Sequence, residues 1–129
     1  MIDLNKIENT LARFCSNTSN VQGVALVSLD GLTIAAHLPR GMDDERVSAM
    51  SAAMLSLSER IGRELQRGKV ERILVEGENG FGILTSCTQE SVLLVLTDQQ
   101  ARLGLINLEL RAIVPELQKY IGVTSAVAV

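Results

Sequence analysis

Aromatic side chains are nearly missing from this 129-residue chain: Phe14, Phe81 and Tyr120 are all there are, and tryptophan is absent. Stacking platforms for bases or sugar rings cannot be built from so few rings, and the core has to be aliphatic. An excess of positive charge is missing as well. Twelve Lys and Arg against 15 Asp and Glu leave a formal net charge of −3, the wrong sign for a protein whose affinity comes from neutralising phosphates. Neither nucleic acid nor an anionic membrane is expected as a partner. The longest aliphatic run, Val92 to Leu96, falls far short of the ~20 residues of a membrane-spanning helix. Met1-Ile2-Asp3-Leu4-Asn5-Lys6 has an early acid and no apolar stretch of the kind a secretory signal needs, so a cytoplasmic location is expected. The two cysteines, Cys15 and Cys87, lie far apart without C-x-x-C spacing. That fits reduced thiols better than a disulfide framework.

The usual carriers of chemistry are also scarce. His37 is the sole histidine and has no second histidine or cysteine pair nearby in sequence with which to ligate a metal. No serine stands in G-x-S-x-G or S-x-x-K. Asp43-Asp44-Glu45 complements the dipole at a helix start, where adjacent carboxylates point in different directions. Gly77, Gly80 and Gly82 lie between two strand patterns, whereas a dinucleotide loop needs its glycines between a strand and a helix. There is no Walker A sequence. Catalysis, a resident cofactor and a metal are therefore not expected.

What is present is periodicity. Leu4, Ile7, Leu11 and Phe14 recur at helical spacing behind Asp3, a capping residue. Val24 to Leu29 and Leu32 to Ala36 read as strands around Asp30-Gly31, a dipeptide suited to a two-residue type I′ turn. A long helix is expected over 43–67, with Val47, Met50, Met54, Leu57, Ile61 and Leu65 as the stripe that packs on a sheet. Val70 to Glu76, Phe81 to Cys87 and Ser91 to Thr97 follow as strands, with Asn79-Gly80 as a second hairpin signal. Val92 to Leu96 has no polar face and marks a central strand covered on both sides. Asp98 is expected to cap a last helix bearing Leu103, Ile106, Leu110, Ile113 and Leu117, which Pro115 should kink or end near Val114. The order helix, two strands, helix, three strands, helix gives an α+β three-layer sandwich with a five-stranded antiparallel sheet. One domain over 1–122 is expected, with 123–129 as a short apolar tail or an added edge strand.

On the far side of the long helix, at about 100° per residue, Ala49, Ala52, Ala53 and Ser56 gather, followed by Arg60, Arg63 and Arg67. Small residues on an outward face allow close helix approach, and a two-fold placed near Ala53 would bring the patch against itself. A homodimer through this helix is the expectation.

The element order, together with Ala25-Leu26-Val27-Ser28-Leu29-Asp30-Gly31-Leu32-Thr33-Ile34-Ala35-Ala36, resembles the roadblock/dynein-light-chain family and its bacterial MglB-like branch. Three further stretches match: the small-rich helix over 43–67, the run Ile73 to Phe81, and Leu94-Val95-Leu96-Thr97 followed by Leu103-Gly104-Leu105 and Glu109-Leu110. The resemblance covers the chain from Leu4 to about Tyr120. It implies a roadblock/profilin-like fold and a dimer whose third strands, here Val70 to Glu76 with Val70, Arg72 and Leu74, join into one sheet beside the paired long helices. It also implies a non-enzymatic partner of a Ras-like small GTPase, acting as activator, scaffold or adaptor. For the GTPase, Arg60, Arg63 and Arg67 are the expected contact, a basic strip for an acidic switch region. The rival reading is a small-molecule sensor, which would need an internal cavity.

Overall fold

The first helix starts where its cap dictates. In the computed structural model, which describes residues 2–122, the Asp3 side chain accepts the Lys6 N–H and α1 runs Leu4–Asn17. It buries Ile7, Thr10, Leu11 and Phe14 on one face. The chain continues through β1 (Val21–Ser28), β2 (Thr33–His37), α2 (Asp44–Glu64), β3 (Arg72–Gly77), β4 (Gly80–Thr88), β5 (Ser91–Thr97) and α3 (Leu103–Ile121). The five strands form one antiparallel sheet in the order β2-β1-β5-β4-β3. The fold is thus the expected α+β three-layer sandwich, and the unrelieved aliphatic run of β5 does take the central place. The apolar tail expected at 123–129 lies outside the described residues.

The sheet divides two cores. On one side α1 and α3 cover Val24, Leu26, Ile83, Leu93 and Val95; on the other α2 packs with a thinner set, Ala25, Val27, Leu84, Val92 and Leu94. Along β1 the burial is continuous from Gly23 to Val27, as expected for a strand covered on both faces.

Three local expectations are corrected. The β1–β2 connection is not a two-residue type I′ turn: the Gly31 N–H donates to the Ser28 carbonyl and the Ser28 N–H to the Leu32 carbonyl, with Gly31 alone at positive φ, 86°. This is a three-residue loop closed by a left-handed glycine. Asp98 does not cap α3. Its carboxylate accepts the Gln100 N–H at 2.9 Å and the Asn20 amide at 3.0 Å, which ties two loops together, and the helix begins four residues later behind Arg102. Nor does Pro115 end α3, which runs on to Ile121. The carbonyl that loses its partner to proline is that of Arg111, an exposed residue that water can satisfy. Buried Leu110, Ile113, Leu117 and Ile121 hold both sides of the proline to the core.

Candidate protein-interaction surface

Which face of α2 meets the sheet decides what the molecule shows to a partner. The residues turned inward are Ser48, Ser51 and Gly62, all buried, with Val47 and Leu55 half-buried beside them. Small side chains let the helix axis come close. A Cβ built on Gly62 would lie 2.9 Å from the Gly68 carbonyl oxygen and 3.2 Å from Val70, so only glycine fits without movement. The Ser48 hydroxyl is satisfied by Thr33 Oγ1 at 2.6 Å, and that hydroxyl also reaches the Asp44 carbonyl at 3.3 Å. Together these bonds pin the first turns of α2 to β2.

The stripe expected to pack on the sheet is therefore displaced to the flank. Val47 is half-buried, but Met50, Met54, Leu57, Ile61 and Leu65 stand exposed, at 55%, 36%, 59%, 48% and 60% of their surface. Five large apolar side chains in a row on one helix flank are far more than a solvated face needs. The sequence reading missed them as surface residues. Ser48, Ser51 and Gly62, at helical spacing, were the available sign of a helix that docks by its small side.

That flank overlooks a gap. Because α2 lies over β1 and β2, much of the same face of β4 and β3 is left open, forming a groove of about 520 Å³. Met42, Met50 and Met54 line it on the helix side, and Val75, Leu84 and Leu96 on the sheet side. The groove runs out to β3, the edge strand, whose residues are exposed except for half-buried Ile73. Leu74 and Val75 point to opposite faces of it and are each about half exposed. An edge strand with bare apolar side chains and unpaired main-chain groups is a template for another strand.

Among the sequence-predicted interface residues, Arg72 and Leu74 lie on this open edge, and Val70 packs half-buried near Gly62. Ala49, Ala52 and Ser56 lie on the other flank of α2, and exposed Ala53 sits on its outward crest between the two flanks. Ala49 and Ala52 stand against Gly31 in the β1–β2 loop, where a Cβ would come within 3.3 Å of Ala49 Cα and 3.7 Å of Ala52 Cβ. Part of the small-residue patch thus has an intramolecular purpose.

Arg60 and Arg63 are exposed on α2, and Arg67 lies beyond its end, where its Nε donates to the Leu65 carbonyl at 2.9 Å. None of the three is in an ion pair among the described residues, so their charge is directed outward. Among those residues, too, no group of three or more His, Cys, Asp or Glu side chains is arranged to hold a metal, and no helix is long and apolar enough to cross a membrane. Cys87 is buried, and burial pushes its thiol up to about 11 despite a hydrogen bond with Ser91. Half-buried Cys15 is raised too, by the same cause.

The model of the Roadblock/LC7 domain matches residues 7–97. Three uncharacterized proteins of Methanocaldococcus jannaschii are each 36% identical over 96 residues, covering 74% of this chain and 80% or 83% of their own length. The fold is also similar to a solved Roadblock/LC7 domain from Streptomyces avermitilis, with a TM-score of 0.79 at 20% identity over 88% of this chain and 95% of that one. Myxococcus xanthus MglB gives a TM-score of 0.83 at 21% identity, over 91% of this chain and 88% of that one.

Proposed function

Since the chain belongs to the Roadblock/LC7 domain family, we propose that it works without catalysis, as a homodimeric regulator or scaffold of a Ras-like small GTPase. The observation behind this reading is the continuous surface from the bare apolar flank of α2, across the open groove, to the unpaired edge of β3. A second copy related by a two-fold axis supplies the same elements in return, which is what an isologous interface requires. In this dimer β3 contributes Arg72 and Leu74. The helix contributes Met50, Met54, Leu57, Ile61 and Leu65, with Ala53 on the crest beside them, whereas Ala49, Ala52 and Ser56 lie on the flank turned away from β3.

The GTPase half of the proposal is supported by family membership and by the similarity of the fold to MglB. Arg60, Arg63 and Arg67, exposed and in no ion pair among the described residues, are the candidate contact for an acidic switch region. The test is capture from native lysate with tagged protein, once with GDP and once with a non-hydrolysable GTP analogue, followed by mass spectrometry. A small GTPase enriched in one nucleotide state supports the reading. No GTPase in either state reassigns the domain to an adaptor or a sensor.

A further inference from the structure

The main-chain geometry of β3 says which of its groups are free. Gly77 and Gly80 close the two-residue loop between β3 and β4, and the pair that closes such a loop exchanges both of its main-chain bonds. Antiparallel pairs alternate, so Val75–Gly82 and Ile73–Leu84 are hydrogen-bonded pairs too. The N–H and C=O groups of Arg72, Leu74 and Glu76 then point away from β4, along the open edge. The side chains of these three residues share the sheet face that looks toward α3, where Arg72 and Leu74 line a cleft with Ile83, Leu103 and Asn107.

Resting on the dimer reading above, in which the family resemblance already implies β3 paired with β3, we propose its register: the two-fold axis falls at Leu74, and each end is locked by an ion pair between Arg72 of one copy and Glu76 of the other. The segment Arg72-Ile73-Leu74-Val75-Glu76 is complementary to itself in this register alone. Leu74 faces Leu74, Ile73 faces Val75 of the second copy, and each arginine faces a glutamate. The free groups also match, because Arg72, Leu74 and Glu76 all offer their main chain to the edge and so form the hydrogen-bonded pairs of the new ladder. Sliding by two residues sets Leu74 against Arg72 or Glu76 of the second copy, and sliding by one turns every side chain to the wrong face. Within the protomer Arg72 and Glu76 are exposed, and neither is in an ion pair among the described residues. Their charges are left for the second copy.

The test uses Arg72→Glu, Glu76→Arg, the double variant carrying both, and an equimolar mixture of the two single variants, with mass followed by sedimentation and native mass spectrometry. Each single change turns both symmetry-related pairs from attraction to repulsion, so the homodimer dissociation constant rises roughly tenfold or more. In the mixture every charge again meets its opposite, and a heterodimer forms in preference to either homodimer. The double variant recovers the homodimer. These differences shrink in 1 M NaCl, where the Debye length is about 3 Å. Far-UV circular dichroism of each variant checks that the fold is kept. If the single variants dimerise as tightly as the parent and show no heterodimer preference, the register is overturned; should Leu57→Glu still dissociate that dimer, the dimer itself stands. A parent chain that stays monomeric at high concentration overturns both.

Discussion

Leu57 and Ser56 are neighbours about 100° apart around α2, and a glutamate at one should act very differently from a glutamate at the other. In the protomer Leu57 keeps 59% of its surface exposed. Full burial of a leucine side chain is worth about 1.5–3 kcal/mol, so covering the exposed share is worth about 0.9–1.8 kcal/mol in each copy. Two-fold symmetry doubles this to about 2–3.5 kcal/mol, which raises the dissociation constant about 30- to 300-fold in Leu57→Glu. The cost of burying an unpaired carboxylate adds to that. Ser56→Glu carries the same charge and has the same Arg60 within helical reach, but points away from the groove; its dissociation constant should stay within about threefold of the parent. Sedimentation velocity over a concentration series reads both values, and thermal unfolding at low concentration shows whether the protomer survives. A dimer that ignores Leu57→Glu but falls apart in Ser56→Glu would refute the assignment of the apolar flank and return the interface to the small-residue patch.

Reversal of Arg60, Arg63 and Arg67 together to glutamate should abolish capture of the GTPase while moving the melting temperature by less than about 3 °C, since none of the three is in an ion pair among the described residues and exposed pairs contribute only about 0–1 kcal/mol. Loss of folding would make them structural. Gly80→Ala should cost more than about 3 kcal/mol in chemical denaturation, because Gly80 sits at φ 145° and the new Cβ would fall on the Thr97 carbonyl oxygen; a cost below about 1 kcal/mol would contradict the hairpin geometry. The Cys87 thiol lies at about 11 in the fold against 9.0 when unburied. Below pH 9 both states are protonated and nothing changes. Between pH 9 and 11 the unfolded chain ionises first, so about 2–3 kcal/mol of stability is lost. Cys87→Ala should remove that part of the alkaline slope, and an identical slope in both proteins would refute it.

The sheet was legible in the sequence because its evidence is local. Val92 to Leu96 has no polar face, and such a strand can only be central. Asp3 has one backbone N–H to accept and accepts it. The loops and α2 were harder, for physical reasons. Asp98 and Asp3 look alike as caps, but Asp98 has Asn20 across from it, a partner 78 positions away. Along α2 the apolar line and the small line are both regular, and periodicity alone does not say which is buried. The answer depends on Thr33, which offers Ser48 a hydroxyl, and on Gly68 and Val70, which leave room only for Gly62. The edge position of β3 follows from the strand order of the whole sheet. Consequently the strand pattern of β3 was legible while its edge position was not, and the exposed apolar flank of α2 was taken for its buried face.

The thinness of the core beneath α2 has a dynamic consequence. Ala25, Val27, Leu84, Val92 and Leu94 are its buried members, and they meet a helix whose fully buried residues are two serines and a glycine, with only Val47 and Leu55 half-buried beside them. The opposite face is held by two helices and a much larger cluster. Local opening should then begin at α2, whose amides will exchange with solvent through a lower free-energy gap than those of α3 or β5. Whatever covers the apolar flank of α2 slows that exchange as it binds. Occupancy of the surface and rigidity of the helix thus become one equilibrium, and the helix serves the molecule as a reporter of its own association.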